Sequence, residues 1–252
     1  MDPGWRKGAG MLARRYSTVL FDIDGTLIDY EGAQRHAARA ALAAVAPCAV
    51  EDPPLLDRVM ALVEGEVVQD VESCRPGLLD PGSPEMQAVF DAAGVPLPSG
   101  AFLEAYFDAM AMHGVPLAGI PGMLAAVAPG RVLGVVSNGR GPVQRSRLAL
   151  AGLMEHLGVL VVSCEVGRAK PDPEILRLAM RLARSGPEDS LFVGDSVTSD
   201  MGAAAAAGVD FVYVDPTGRF PASGPRVLGL RSAAELAEHL RPAEVDREGL
   251  SS

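Results

Sequence analysis

The chain has 252 residues, 48% of them hydrophobic and 21% charged, which is enough to bury a sizeable core and excludes wholesale disorder. Its net charge of −10, without a basic stripe or a polybasic juxtamembrane cluster, speaks against nucleic acid and anionic lipid as partners. No run of about 18 uninterrupted apolar residues occurs, and the N-terminal segment lacks the apolar core of a secretory signal. Cys48, Cys74 and Cys164 have neither metal-ligand spacing nor the arithmetic of a disulfide framework, and are expected to be small buried thiols in a reducing cytoplasm.

Residues 1–16 read as a tail, with Met11 an alternative start to Met1. A first short apolar run, 18–21, then predicts a β-strand. After it comes a long segment, 30–114, holding 13 acidic residues against 4 arginines. Helical patterns at 31–46, 54–68, 84–93 and 99–112 alternate there with Pro and Gly, and no strand is expected. Beyond it, apolar runs at 132–136, 159–162, 191–193 and 211–214 predict further strands. They show little alternation, as expected of strands buried on both faces of a parallel sheet. Helices are expected between them at 142–153, 172–183 and 200–207, and a last one at 232–240. Residues 243–252 read as a second tail. Strand and helix in alternation predict an α/β fold with a doubly wound parallel sheet, its core made of 17–29 and 115–242, with 30–114 as an inserted α-helical domain.

In such a sheet ligands bind beyond the carboxyl ends of the strands, so the residues standing there are the candidates. The first strand runs into Asp22-Ile23-Asp24-Gly25-Thr26. Two carboxylates at i and i+2 share a face if the extended backbone continues, and such neighbours repel unless a cation offsets them. Mg2+, with its preference for carboxylate and phosphate oxygens, suits that role; an ordinary Asp-Gly turn is the other reading. The second strand ends in Ser137-Asn138-Gly139, a hydroxyl and an amide suited to an oxyanion. Lys170 precedes Pro171 and a helix start. The fourth strand runs into Gly194-Asp195-Ser196, with Asp200 at the next helix, where a plain cap would also explain it.

Taken in this order, DIDGT, VSNG, the lysine of AKPDP and GDSVTSD resemble the four motifs of the haloacid dehalogenase superfamily over about residues 17–215, and the insert stands where that family carries a helical cap. The resemblance implies a Mg2+-dependent phosphohydrolase acting on a small phosphorylated metabolite, similar to the family's nucleotidases, acylneuraminate-phosphate phosphatases and phosphoglycolate phosphatases. Asp22 would be the nucleophile, forming an aspartyl-phosphate, and Asp24 the general acid/base. Asp22, Asp195 and the main-chain carbonyl of Asp24 would hold the metal, with Asp200 in support, and Ser137, Asn138 and Lys170 would hold phosphoryl oxygens. Sugar-phosphate mutase remains the alternative, ahead of a dehalogenase or a non-catalytic binding module. Arg35 and Arg39, one helical turn apart on the first cap helix, and Arg140 in the second motif loop are candidate substrate contacts. The oligomeric state is left open.

Overall fold

The computed structural model describes residues 16–49, 52–65, 68, 80–219 and 226–240; residues 1–15 of the tail assigned to 1–16, the tail assigned to 243–252 and the start-site question lie outside them. Six strands form one parallel sheet in the order β3-β2-β1-β4-β5-β6. They are β1 (Thr18–Phe21), β2 (Val132–Ser137), β3 (Val159–Val162), β4 (Ser190–Gly194), β5 (Asp210–Val214) and β6 (Val227–Leu230). The first five match the sequence expectation to within a residue. β6 was not foreseen: Val-Leu-Gly-Leu carries a glycine and gains its strand conformation from pairing with β5.

β1 lies at the centre. Phe21 is level with Val135 of β2 and with Val193 of β4, so the residues that follow these strands emerge at one edge. The chain winds outward from β1 through β2 to β3, then returns to build β4, β5 and β6 on the other side. The crevice between β1 and β4 is therefore the topological switch point where a doubly wound sheet binds its ligand. The pleat sends Val19 and Phe21 into one core with Ile120, Leu124 and Leu236, and Leu20 into the opposite core with Val136, Ile175 and Phe192.

The segment after β1 is helical among its described residues. It contains α1 (Tyr30–Val45), α2 (Pro53–Val63), α3 (Pro84–Ala92) and α4 (Ser99–Ala111). Local chemistry starts these helices: Asp29 caps α1 through the Gly32 N–H at 3.0 Å, and Ser83 caps α3 through the Met86 N–H at 3.1 Å ahead of Pro84. α1 turns Ala33, Ala37, Ala38 and Ala41 inward, small side chains that let α4 approach closely. Together with Phe90, Phe102 and Tyr106 they form a core separate from the two beside the sheet, so the insert is a helical cap domain. Its two linkers pair with each other: the Asp29 N–H reaches Val115 O and the Leu117 N–H reaches Leu27 O, both at 2.9 Å.

The remaining helices belong to the sheet layers: α5 (Ile120–Val127), α6 (Gly141–Leu150), α7 (Ser163–Val166), α8 (Glu174–Ala183), α9 (Gly202–Ala207) and α10 (Leu236–His239). The helix expected from Asp200 begins instead as a π-type turn, Val197–Met201, because the Asp200 carboxylate is drawn inward. Tyr16, placed in the tail by its sequence position, is buried, and its hydroxyl donates to Asp210 at 2.9 Å. The cysteine expectation is corrected: Cys48 is free and exposed, and Cys164 is disulfide-bonded, its partner lying outside the described residues. No described helix is long and apolar enough to cross a membrane.

Candidate active site

Asp22 is the first residue beyond β1. Its N–H continues the ladder to Val193 O at 2.8 Å, which fixes the backbone from which the carboxylate projects. The side chain is buried, and its Oδ1 accepts from Lys170 Nζ at 2.6 Å. The same ammonium lies 2.7 Å from Asp200 Oδ1. Lys170 and Asp200 are both buried, so one buried cation is shared by two carboxylates. The Asp200 carboxylate is also tied to the Ser196 N–H at 3.1 Å.

Asp195, just past β4, completes the group. Asp22, Asp195 and Asp200 each offer a carboxylate oxygen within 4.8 Å of the others. Burial, the largest influence, and the neighbouring Asp200 push Asp195 up to about 7. Burial followed by the surrounding carboxylates likewise holds Asp22 well above the usual range, against the pull of Lys170. Burial opposes the charge of Lys170, but Asp200 and Asp22 outweigh it and raise its pKa above the ordinary lysine value. Three oxygen donors whose mutual repulsion a hard cation would relieve fit Mg2+.

Gly25 shows how closely the backbone approaches this group. Its φ is +74°, and a Cβ there would lie 2.0 Å from Asp195 Oδ2. The Asp24–Gly25 backbone thus passes against Asp195, while the Asp24 side chain is held elsewhere. Its Oδ2 accepts from Gln144 Nε2 at 2.7 Å and its Oδ1 from Arg147 Nη1, both on α6.

The loop after β2 joins the site through Asn138. Asn138 Oδ1 accepts from the Lys170 N–H at 2.8 Å and its Nδ2 donates to Lys170 O at 3.0 Å. Ser137 is buried, and Gln144 Nε2 donates to its Oγ at 3.2 Å. Ser163 supports the loop by accepting from the Gly139 N–H at 2.9 Å.

The structure therefore brings Asp22, Asp24, Ser137, Asn138, Lys170, Asp195 and Asp200 to one edge of the sheet. Arg35 and Arg39 are both exposed on α1, off its buried face, without a hydrogen bond or ion pair among the described residues. Arg140 bridges core and cap, its guanidinium 4.0 Å over the Phe107 ring of α4. It lines a groove of about 410 Å3 with Phe107, Asp108, Val143, Cys164 and Glu165. Sequence reasoning missed Gln144 and Arg147. The local sequence carries no signal for them: two polar residues three apart on α6 read as a solvated face, and only the structure shows that both are buried.

The fold and this aspartate-lined edge define an α/β protein with an inserted helical cap and a carboxylate site at the strand ends. The chain belongs to the haloacid dehalogenase-like hydrolase family, whose profile matches residues 16–208. It is 30% identical over 227 residues to a phosphoglycolate phosphatase of Cupriavidus necator, covering 89% of this chain and 91% of that protein. A phosphoserine phosphatase of Thermus thermophilus is 33% identical over 129 residues, 51% of this chain, so the match spans about half the length of that relative (52%). Among solved structures, the HAD-hydrolase YfnB from Bacillus subtilis, determined bound to magnesium, superposes with a TM-score of 0.74 at 22% identity, covering 90% of this chain and 99% of that one. At that identity the likeness is one of fold.

Proposed function

We propose that this hydrolase removes phosphate from a small phosphorylated metabolite through an aspartyl-phosphate formed on Asp22. The observation that carries the reading is the Asp22–Lys170–Asp200 chain beside Asp195: a buried carboxylate, fixed by an ammonium, at the mouth of a parallel sheet. Asp22 attacks phosphorus and the leaving oxygen departs with a proton from Asp24. Water then attacks the aspartyl-phosphate as Asp24 takes its proton, releasing phosphate and restoring the Asp22 carboxylate. Ser137 Oγ, the Asn138 N–H and Lys170 Nζ hold the phosphoryl oxygens. Such a transfer depends on positioning and charge neutralisation more than on elaborate covalent chemistry.

The Asp22 and Asp195 carboxylates and the Asp24 carbonyl would hold Mg2+, with Asp200 beside them. Once bound, the ion offsets the negative charge of nucleophile and phosphate. Arg140, at the junction of the second motif loop and cap helix α4, would meet the leaving group. The acidic cap and the net charge of −10 favour small metabolites over nucleic acid.

Rapid quenching with labelled substrate tests the two aspartate roles. Asp22→Asn leaves a poor nucleophile and should carry no label. Asp24→Asn keeps the nucleophile, should lose about 10²–10⁴-fold in turnover, and should retain label because hydrolysis lacks its base. Label trapped on Asp22→Asn, or full turnover by Asp24→Asn, would reverse the assignment.

A further inference from the structure

We infer that Gln144 and Arg147 of α6 are positioning residues for Asp24, and that Arg147 carries the position of the cap linker to that carboxylate. The inference rests on the acid/base role proposed for Asp24.

Both oxygens of Asp24 are engaged from one side. Gln144 Nε2 holds Oδ2 at 2.7 Å, and Arg147 Nη1 holds Oδ1. The two donors are tied together, since Gln144 Oε1 accepts from the same Arg147 Nη1 at 3.2 Å. Gln144 Nε2 also lies 3.2 Å from Ser137 Oγ and 3.3 Å from Asn138 O. The clamp on Asp24 is thereby referenced to the loop expected to hold the phosphoryl group.

Arg147 is fully buried, whereas the Asp24 side chain keeps 17% of its surface exposed. A guanidinium is costly to bury without charge-assisted partners, and a rigid fork sets the direction of the carboxylate it holds. Each carboxylate oxygen has two acceptor positions, so a clamped Asp24 can still meet a leaving oxygen or a water, but only along the directions the clamp leaves open.

The other side of Arg147 faces the cap hinge. Its Nε donates to His113 O at 3.2 Å, just before the linker segment that pairs with residues 27–29. Its Cζ lies 5.9 Å from the ring centroid of Tyr30, the first residue of the cap. Gly114 presses on α6 so closely that a Cβ would come within 2.2 Å of Arg147 O. Both linkers thus bear on the residue that holds Asp24, and a displacement of the linker is passed to the carboxylate through a single buried side chain.

The test is a leaving-group series. kcat/KM is measured for alkyl phosphates and for 4-nitrophenyl phosphate with Gln144→Leu, Arg147→Lys, Arg147→Met and Gly114→Ala. The clamp variants are also made on the Asp24→Asn background. A nitrophenolate departs without a proton and an alkoxide does not. Gln144→Leu, Arg147→Met and Gly114→Ala are expected to lose about 10–100-fold with alkyl phosphates, part of the range of general acid catalysis, and under about threefold with the nitrophenyl ester. Arg147→Lys should recover part of that loss. On Asp24→Asn the clamp variants should add no further loss, because they act through Asp24. Thermal melts identify any variant that does not fold; if Arg147→Met is one, Gln144→Leu and Arg147→Lys carry the test. An even loss across leaving groups, or full additivity with Asp24→Asn, overturns the inference. If Asp24→Asn itself spares alkyl phosphates, the acid/base role fails and the inference fails with it.

Discussion

Asn138 and Lys170 grip each other through two hydrogen bonds, side-chain oxygen to main-chain N–H at 2.8 Å and side-chain amide to main-chain carbonyl at 3.0 Å. The pair locks the loop after β2 to the loop that presents the buried ammonium, so the placement of Lys170 depends on a residue 32 positions earlier. Asn138→Ala removes both bonds and leaves the Lys170 backbone groups to find other partners. A stability loss of about 1–3 kcal/mol is expected, together with a fall in kcat/KM of more than about tenfold. Denaturant titration and steady-state kinetics would measure both; unchanged kinetics would show that Lys170 is held without this pair.

Lys170 itself neutralises Asp22 and Asp200. Replacing it with Met removes the cation and leaves two buried carboxylates facing each other, which typically costs about 3–5 kcal/mol. Urea midpoints for Lys170→Met should show that loss at pH 8. It should shrink at pH 5, where the crowded carboxylates can take up a proton. A loss independent of pH would place its origin in packing rather than charge.

Asp195 makes a prediction about pH and metal together. In the metal-free protein its pKa is raised to about 7, against about 3.9 for the unfolded chain. The folded state therefore binds this proton more tightly than the unfolded state, and the contribution of Asp195 to stability falls as pH rises from about 4 to 7. Asp195→Asn removes that penalty. In EDTA at pH 8 the variant should melt above the wild type, and the difference should narrow at pH 5. Adding Mg2+ at pH 8 should raise the wild-type Tm and leave the variant nearly unmoved. A variant that melts lower than wild type in EDTA at pH 8 would contradict this account of the carboxylate cluster.

Gly25→Ala tests the close approach of backbone and carboxylate. The φ of +74° disfavours any L side chain, and the new methyl would collide with Asp195 Oδ2. The conformation alone costs about 1–2 kcal/mol. Because the methyl must displace Asp195, Mg2+ affinity measured by calorimetry should weaken by about tenfold or more, on the scale of disturbing the groups that orient a metal ligand. An unchanged affinity would show that Asp195 can move aside without affecting the metal.

By itself the sequence determined the parallel sheet and the residues at its working edge. Short apolar runs without alternation reveal strands buried on both faces, and Asp22, Asp24, Ser137, Asn138, Lys170, Asp195 and Asp200 each stand at a strand end or in the connection that leads to the next helix. A position at a strand end is a local property. The helical cap was legible for the same reason, from helical patterns broken by Pro and Gly; the structure adds that Asp29 and Ser83 cap two of its helices. Long-range contact decided the rest. β6 exists because β5 offers it a ladder. Arg35 and Arg39 share a helical turn, yet the packing of α1 through its alanines on α4 leaves them in solvent. Gln144 and Arg147 look like ordinary helix-surface residues until α6 is docked. Only then do they meet an aspartate more than a hundred residues away, because the free energy that justifies burying a guanidinium lies in a partner that the local sequence does not contain.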